Sequence, residues 1–181
     1  DIQGPDAGEF LDRIYTNRFS NLKPGHCRYG MMLKEDGMVF DDGVVARLHD
    51  NHFLATTTTT GAAEVLRWME LWLQTEWSDL QVYLTSVTDH WSTIALSGPK
   101  SREVLAQLCD ANLSDEDLPF MRWQSAEVAG VEARVFRISF TGELSFEINV
   151  PSYFGQHIWQ ACMEAGKAFD ITPYGTETMH V

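Results

Sequence analysis

The chain has 181 residues, and 13 Lys and Arg against 26 Asp and Glu give a net charge of −13. A composition that is 44% hydrophobic and 12% aromatic excludes a disordered chain. The acidic balance argues against a surface for nucleic acid or anionic membrane, because both need a cationic surface. No apolar run reaches the roughly 20 residues of a membrane span. The three cysteines are scattered without a C-x-x-C pair, which favours a reducing cytoplasm.

The first half alternates between strand and helix patterns. A strand runs into Gly4-Pro5, which opens a helix because the missing N–H of proline costs nothing there. Glu35-Asp36-Gly37 marks a hairpin turn, and we expect the tryptophans of the second helix in the core. The predicted elements are a strand at 1–3, a helix at 6–15, strands at 28–34, 38–48 and 52–58, and a helix at 62–76.

The second half repeats this order after Gly98-Pro99. Its predicted elements are a strand that ends at 97, a helix at 100–109, strands at 122–128, 131–139 and 144–150, and a helix at 153–166. Tight hairpin turns between strands favour an α+β fold with antiparallel sheets and packed helices, divided into halves at 1–95 and 96–181. Both ends look cut, the second inside a helix that starts at Thr176, so we expect a piece of a longer polypeptide.

Asp41-Asp42 is the first candidate for chemistry. Adjacent strand residues point to opposite faces, so these carboxylates cannot share a proton. Asp42 shares its face with Phe40 and Val44, and an acid in an apolar run is costly unless it is paired or functional. The alternative is a structural Asp that binds a neighbouring loop.

Two further segments offer polar groups. In the threonine run 56–60, alternate hydroxyls would line a pocket, or the run is simply a strand whose last residue, Thr60, caps the next helix. Glu147 lies between Phe146 and Ile148, where its carboxylate could accept a pair of N–H bonds from a heterocycle, or it faces solvent. His49 and His52 lack a third ligand, so we expect no metal.

Several features together resemble the aminomethyltransferase family, the folate-dependent component of glycine cleavage (T-protein). They are Gly4-Pro5-Asp6-Ala7, the segment 36–42, Gly98-Pro99, and Thr141-Gly142-Glu143 followed by Phe146-Glu147. Finer likeness at 28–33, 88–91, 134–147 and 172–177 is to one branch, the C-terminal part of the alpha subunits of heterotetrameric sarcosine oxidases.

The resemblance implies a region that binds tetrahydrofolate and captures a one-carbon unit at N5 and N10. In the oxidase branch, a flavin in the beta subunit oxidises sarcosine to an imine, and the methylene carbon then becomes 5,10-methylenetetrahydrofolate with release of glycine. The implied partners are tetrahydrofolate, a small amine-derived imine and the other oxidase subunits, with flavin and NAD in other parts of the complex. From the acidic composition we expect neither nucleic acid nor membrane as a partner.

The resemblance also assigns roles to residues. Asp42 matches the catalytic carboxylate, which would take up a proton from the amine or favour its nucleophilic form. Glu147 matches the residue that contacts the amino and ring N–H groups of the pterin. The remaining positions implied to bind folate are Tyr29, Val44, Thr56, Thr58 and Phe140.

Three departures from the family pattern bear on affinity. Phe140 stands where many relatives have an aromatic hydroxyl, Ala46 stands where relatives often have Tyr, and the segment 175–180 lacks the family's folate-contacting Arg. We therefore predict weak or no folate binding by this piece alone. Two alternatives stay open: a stand-alone aminomethyltransferase or demethylase, and a non-catalytic module for assembly of a complex.

Overall fold

In a computed structural model, residues 1–175 are described, and the chain divides into two units. Of the described residues, the first unit holds 1–89 and 121–123, and the second holds 90–120 and 124–175. Each unit has its own sheet and its own hydrophobic core. The division expected at 95–96 falls inside a strand, six residues later than the structural boundary at 89–90. That each half is part of a folate-binding region stays a prediction.

The first unit is built on a five-stranded sheet with the order β2-β3-β4-β1-β5. Each strand of this sheet is antiparallel to its neighbours, as hairpin turns require. Its strands are β1 (Ile2–Gln3), β2 (Cys27–Leu33), β3 (Val39–His49), β4 (His52–Ala55) and β5 (Tyr83–Leu84).

Two helices cover this sheet, α1 (Ala7–Ile14) and α2 (Ala62–Thr75). Apolar residues at helical spacing, including Phe10 and Leu11, bury one face of α1. The tryptophans at 68, 72 and 77 pack against the same core, and the rings of Trp72 and Trp77 stack at 5.3 Å. Their interpretation as core residues is confirmed.

The second unit has a four-stranded sheet with the order β6-β9-β8-β7, in which β9 is antiparallel to both neighbours. Short helices pack against one face of this sheet and close the core. The elements are β6 (Trp91–Ser97), α3 (Ser101–Leu105), β7 (Arg122–Val128), β8 (Val131–Arg137), β9 (Ser145–Pro151) and α4 (Gly155–Gly166).

The α+β fold is confirmed, with differences at several ends. The helix predicted over 100–109 ends at Leu105, so Cys109 lies in an isolated bridge to Val128 and not in a helix. The two-residue strand β5 was not predicted, because its pairing with β1 is long-range and leaves no local pattern. The helix expected from Thr176 lies outside the described residues.

Candidate functional site

The two acids of β3 differ in burial, and Asp41 is the buried one. Asp41 is 5% exposed, whereas Asp42 is half-buried. The prediction that Asp42 lies in the costly apolar environment was therefore wrong, because Asp41 takes that place. Met32 pairs with Asp41 but Leu33 pairs with Val39, so β3 carries an extra residue immediately before the two acids. This bulge interrupts the strict alternation on which the argument depended.

Asp41 binds the loop that follows β4. Thr58 Oγ1 donates to Asp41 Oδ1 at 2.6 Å, and the Thr58 amide donates to Oδ2 at 3.3 Å. A Cβ on Gly61 would lie 3.0 Å from Asp41 Oδ1, so the carboxylate also lies close to the start of α2. Asp41 therefore fits the structural alternative, an Asp that holds a neighbouring loop.

Asp42 has a different partner. Tyr29 Oη donates to Asp42 Oδ2 at 2.7 Å, from the neighbouring strand β2. Met31 is directly opposite Asp42, so Tyr29 reaches the carboxylate diagonally across the sheet. The hydrogen bond to Asp42 is the main reason that the pKa of the Tyr29 phenol is raised. With 47% of Tyr29 exposed, this pair is accessible from solvent.

Thr56, the residue that follows β4, lies beside Val44 of β3. Thr56 Oγ1 accepts from the Val44 amide and donates to its carbonyl, both at 3.1 Å. The backbones approach so closely that a Cβ on Gly43 would come within 1.9 Å of Thr56 O, which explains the glycine. The hydroxyls of Thr56 and Thr58 thus form hydrogen bonds within the protein, to Val44 and to Asp41, and their lining of a pocket stays a prediction.

The start of α2 also differs from expectation. Gly61 occupies the N-cap position, and no side-chain hydrogen bond caps the helix. The expectation that Thr60 caps α2 was therefore wrong.

Tyr15 is a member of this cluster that sequence reasoning missed. It follows α1 and forms an isolated bridge to Met32, the residue opposite Asp41. The side chain is buried, and its Oη has no hydrogen-bond partner among the described residues. Burial, and then the charges of Asp41 and Asp42, raise the pKa of this phenol. Only the long-range register brings Tyr15 here, so no local pattern could have indicated it.

The second unit holds the other two predicted residues. Glu147 lies on β9 between Ala95 of β6 and Phe136 of β8, half-buried on the face opposite Phe146 and Ile148 of the core. Burial raises the pKa of the Glu147 carboxyl. No hydrogen bond or ion pair of its side chain is present within residues 1–175, so the carboxylate is available to a ligand.

Phe140 lies in the turn after β8, with 79% of its surface exposed. Gly142, at φ +85°, donates its amide to Ser139 Oγ at 3.0 Å and shapes this turn. The first unit thus brings together Tyr29, Asp42, Val44, Thr56 and Thr58, whereas Phe140 and Glu147 belong to the second unit.

The described part of the chain contains no group of three or more His, Cys, Asp or Glu placed to hold a metal ion. His52 Nε2 lies 3.3 Å from Asp1 Oδ2. Within the same residues, no helix is long and apolar enough to cross a membrane.

Comparison with known proteins identifies relatives of two kinds. The chain is 53% identical to the sarcosine oxidase subunit alpha of Corynebacterium sp. (strain U-96), over all of this chain and 19% of that subunit. It is 45% identical to the corresponding subunit of Rhizobium meliloti (strain 1021). It is 30% identical to the aminomethyltransferase of Thermoanaerobacter pseudethanolicus, over 96% of this chain and 46% of that protein. The chain thus spans about a fifth of the first relatives and about half of the last.

Solved structures agree with this assignment. The glycine cleavage aminomethyltransferase T of Bartonella henselae superposes with a TM-score of 0.75 at 25% identity, over 90% of this chain and 42% of that one. The heterotetrameric sarcosine oxidase of Corynebacterium sp. U-96, solved with pyrrole 2-carboxylate, gives 0.59 at 19% identity over 84% of this chain and 70% of that one, a likeness of fold alone. The family model described as the GCVT N-terminal domain matches residues 1–181. The resemblance seen in the motifs is confirmed: the chain belongs to the GCVT N-terminal domain family.

Proposed function

We propose that the chain is the folate-dependent one-carbon-transfer region of a sarcosine oxidase alpha subunit. The observation that carries the proposal is the Tyr29–Asp42 pair, a carboxylate with one positioned donor at the place matched to the family's catalytic acid. The higher identity to oxidase subunits, 53% against 30% for the aminomethyltransferase, favours the oxidase over a stand-alone transferase. Other oxidase subunits would supply the imine, and a cytoplasmic location stays a prediction.

Tetrahydrofolate, when bound, would supply the two amine nitrogens that take the methylene carbon, giving 5,10-methylenetetrahydrofolate and glycine. Glu147 fits this group, because a half-buried carboxylate without a partner can accept two N–H bonds from the amino and ring nitrogens of a pterin. Phe140 offers an exposed ring for stacking.

Asp42 is the group we assign to proton transfer. Tyr29 orients the carboxylate through Oδ2, and Oδ1 accepts no hydrogen bond within residues 1–175, so it can receive a proton from an amine. A positioned general base contributes about 10²–10⁴-fold to the rate. Asp41, Thr58, Thr56 and Val44 hold the loop beside this strand and act as positioning residues.

The test is Asp42→Asn in the complete oxidase, with Asp89→Asn as the matched control. Asp89 is exposed in a short helical turn, so its substitution makes the same charge change away from Asp42. The measurement is the partition of the methylene carbon between 5,10-methylenetetrahydrofolate and free formaldehyde at saturating folate. We expect Asp42→Asn to shift the partition toward formaldehyde while sarcosine oxidation continues. An unchanged partition would contradict the catalytic role.

The second candidate is a module for assembly of the complex. Two departures favour it: Phe140 lacks the hydroxyl of many relatives, and Ala46 is buried where relatives often have Tyr. In that case Asp42→Asn leaves the partition unchanged, and tetrahydrofolate does not alter the yield of formaldehyde even in the wild-type complex.

A further inference from the structure

The segment 13–34 is basic, although the chain as a whole is acidic. It carries five Lys and Arg together with His26 and contains no Asp or Glu, in a chain whose acids outnumber its cations by 26 to 13. The role proposed for Asp42 uses none of these cations. A local charge of opposite sign to the rest of a protein attracts an anionic partner to that place alone.

The middle of this segment is the loop between α1 and β2, and several contacts fix it to the first unit. Phe19 and Leu22 of the loop are buried in the core of this unit. Asp12 of α1 accepts hydrogen bonds from the Phe19 amide, from the Ser20 amide at 2.9 Å and from the Ser20 hydroxyl at 2.6 Å. Because the loop is fixed in this way, its exposed side chains lose less freedom when a partner binds.

Two arginines next to the loop contribute charge. Arg28 of β2 donates to the carbonyl of Arg18 and, at 2.7 Å, to Asn21 Oδ1. Arg47 of β3 donates to the carbonyl of Leu22 at 2.5 Å. Neither guanidinium forms an ion pair with an Asp or Glu within residues 1–175, so both positive charges are left uncompensated beside the loop.

The loop itself exposes two more cations, Arg18 and Lys23. Arg18 Nε lies 3.7 Å from Asp12 Oδ2, whereas Lys23 forms no ion pair in the part of the chain that the structure describes. The lysines of the second unit differ, because Lys100 and Lys167 each pair with a glutamate three residues away. The ammonium group of Lys23 is therefore available to a partner.

A segment from elsewhere in the chain extends this basic surface. Residues 121–123 belong to the first unit, and the Trp123 amide donates to the carbonyl of Gly25 at 3.1 Å. Arg122 therefore lies at the end of the loop, with its Nη1 3.2 Å from His26 Nδ1. The basic loop surface, as we call it, consists of Arg18, Lys23, Arg28, Arg47 and Arg122.

We propose that the basic loop surface docks a carboxylate-rich surface of another subunit of the oxidase. Arg28 and Arg47 donate N–H groups to groups of the loop, so the surface offers a field of charge and not a cage for one small anion. An extended polyanion such as nucleic acid would also meet the acidic remainder of the chain, whereas a folded partner can contact this surface alone. Lys23 then pairs directly with an Asp or Glu of the partner.

This inference rests on the proposed function, because the partner is taken to be a subunit of the same oxidase. It goes further by naming the surface of this chain and the charge of the surface that it meets. The competing occupant is the anionic glutamate tail of folate, and the test separates the two.

The experiment treats the complete oxidase with a water-soluble carbodiimide, which forms an amide between a lysine and a carboxylate that lie in contact. Peptide mass spectrometry then identifies the partner of each lysine. We expect Lys23 to be joined to an Asp or Glu of another subunit, with a yield that falls at least about fivefold in about 0.5 M NaCl, because salt screens exposed pairs. Lys100 is the control, since it should be joined to Glu103 of its own chain.

A second measurement is the affinity of the complete alpha subunit for the other subunits. Arg18→Glu with Lys23→Glu should weaken this affinity about ten- to hundredfold, because like charges then face each other. Arg67→Glu with Lys100→Glu makes the same change of charge at two exposed cations that pair within the chain, and it should change the affinity by less than about threefold. Cross-linking uses the unaltered enzyme, so it decides the matter if a variant does not fold.

Three results overturn the proposal: Lys23 joined to no other subunit, equal weakening by the two double variants, or weakening only of the binding of tetrahydrofolate triglutamate, which would assign the surface to the folate tail. The two levels of inference fail differently. If the chain forms no complex with the other oxidase subunits, the proposed function fails. If the complex forms and Lys23 is joined to none of them, only this inference fails.

Discussion

Replacing Thr58 by Val tests whether Asp41 holds the loop between β4 and α2. The substitution removes the 2.6 Å hydrogen bond to Asp41 Oδ1 and leaves the weaker 3.3 Å bond from the Thr58 amide. Asp41 is 5% exposed, so water replaces the lost donor poorly. A hydrogen bond to a charged group contributes about 1.5–3 kcal/mol, which corresponds to about a ten- to hundredfold change in the opening equilibrium of the loop.

Hydrogen exchange of the complete oxidase measures this opening directly, because amides of a loop exchange through local unfolding. We expect peptides that cover 56–65 to exchange about ten- to hundredfold faster in Thr58→Val, with β9 unchanged. Thr58→Ser, which keeps the hydroxyl, should restore protection. Thr59→Val is the matched control, since Thr59 makes no hydrogen bond to Asp41 within residues 1–175. If Thr58→Val exchanges no faster than Thr59→Val, Asp41 does not hold this loop.

Three further predictions concern ionisation, thiol reactivity and binding. The hydrogen bond to Asp42 raises the pKa of Tyr29, so the phenol stays protonated to a higher pH than free tyrosine. Asp42→Asn should therefore lower the pKa of Tyr29 in an ultraviolet titration, with Tyr29→Phe used to subtract the other tyrosines. An unchanged titration would contradict the hydrogen bond between Tyr29 and Asp42. Burial raises the pKa of the Cys162 thiol to about 11, so an aromatic disulfide reagent at pH 8 should label Cys162 only after unfolding; rapid labelling of the native protein would refute its burial. The 181-residue chain alone should bind tetrahydrofolate weakly or not at all, and a micromolar dissociation constant by calorimetry would refute this.

Local patterns predicted the main elements of both units because their causes are local. Gly4-Pro5 and Gly98-Pro99 each lie between a strand and a helix. Both glycines have a positive φ, and a helix begins shortly after each proline. The hairpin around Gly37, at φ +81°, needed a residue without a side chain in this conformation. The end of α3 and the short strand β5 depend on tertiary contacts. The sequence therefore placed the end of α3 too late and did not indicate β5.

The site was less predictable, because it depends on register between distant segments. The Tyr29–Asp42 bond needs the pairing of β2 with β3, and Tyr29 was named through family resemblance and not from its spacing. Tyr15 was not named at all. It reaches the acids through a bridge to Met32, and such a long-range pairing leaves no mark in the nearby sequence.

The adjacent acids of β3 illustrate how one short segment can place two carboxylates in different environments. Asp41 has two donors from Thr58 and little exposure, so both of its oxygens are committed to the loop. Asp42 has one donor, Tyr29, and keeps Oδ1 without a partner within residues 1–175. The register is regular from Asp41 to Val45, so Asp41 lies on the face of the buried Val45, whereas Asp42 lies on the opposite, half-buried face beside Tyr29. Asp42 is therefore the acid of this pair that is open to a ligand, and we expect its substitution to leave the loop after β4 in place.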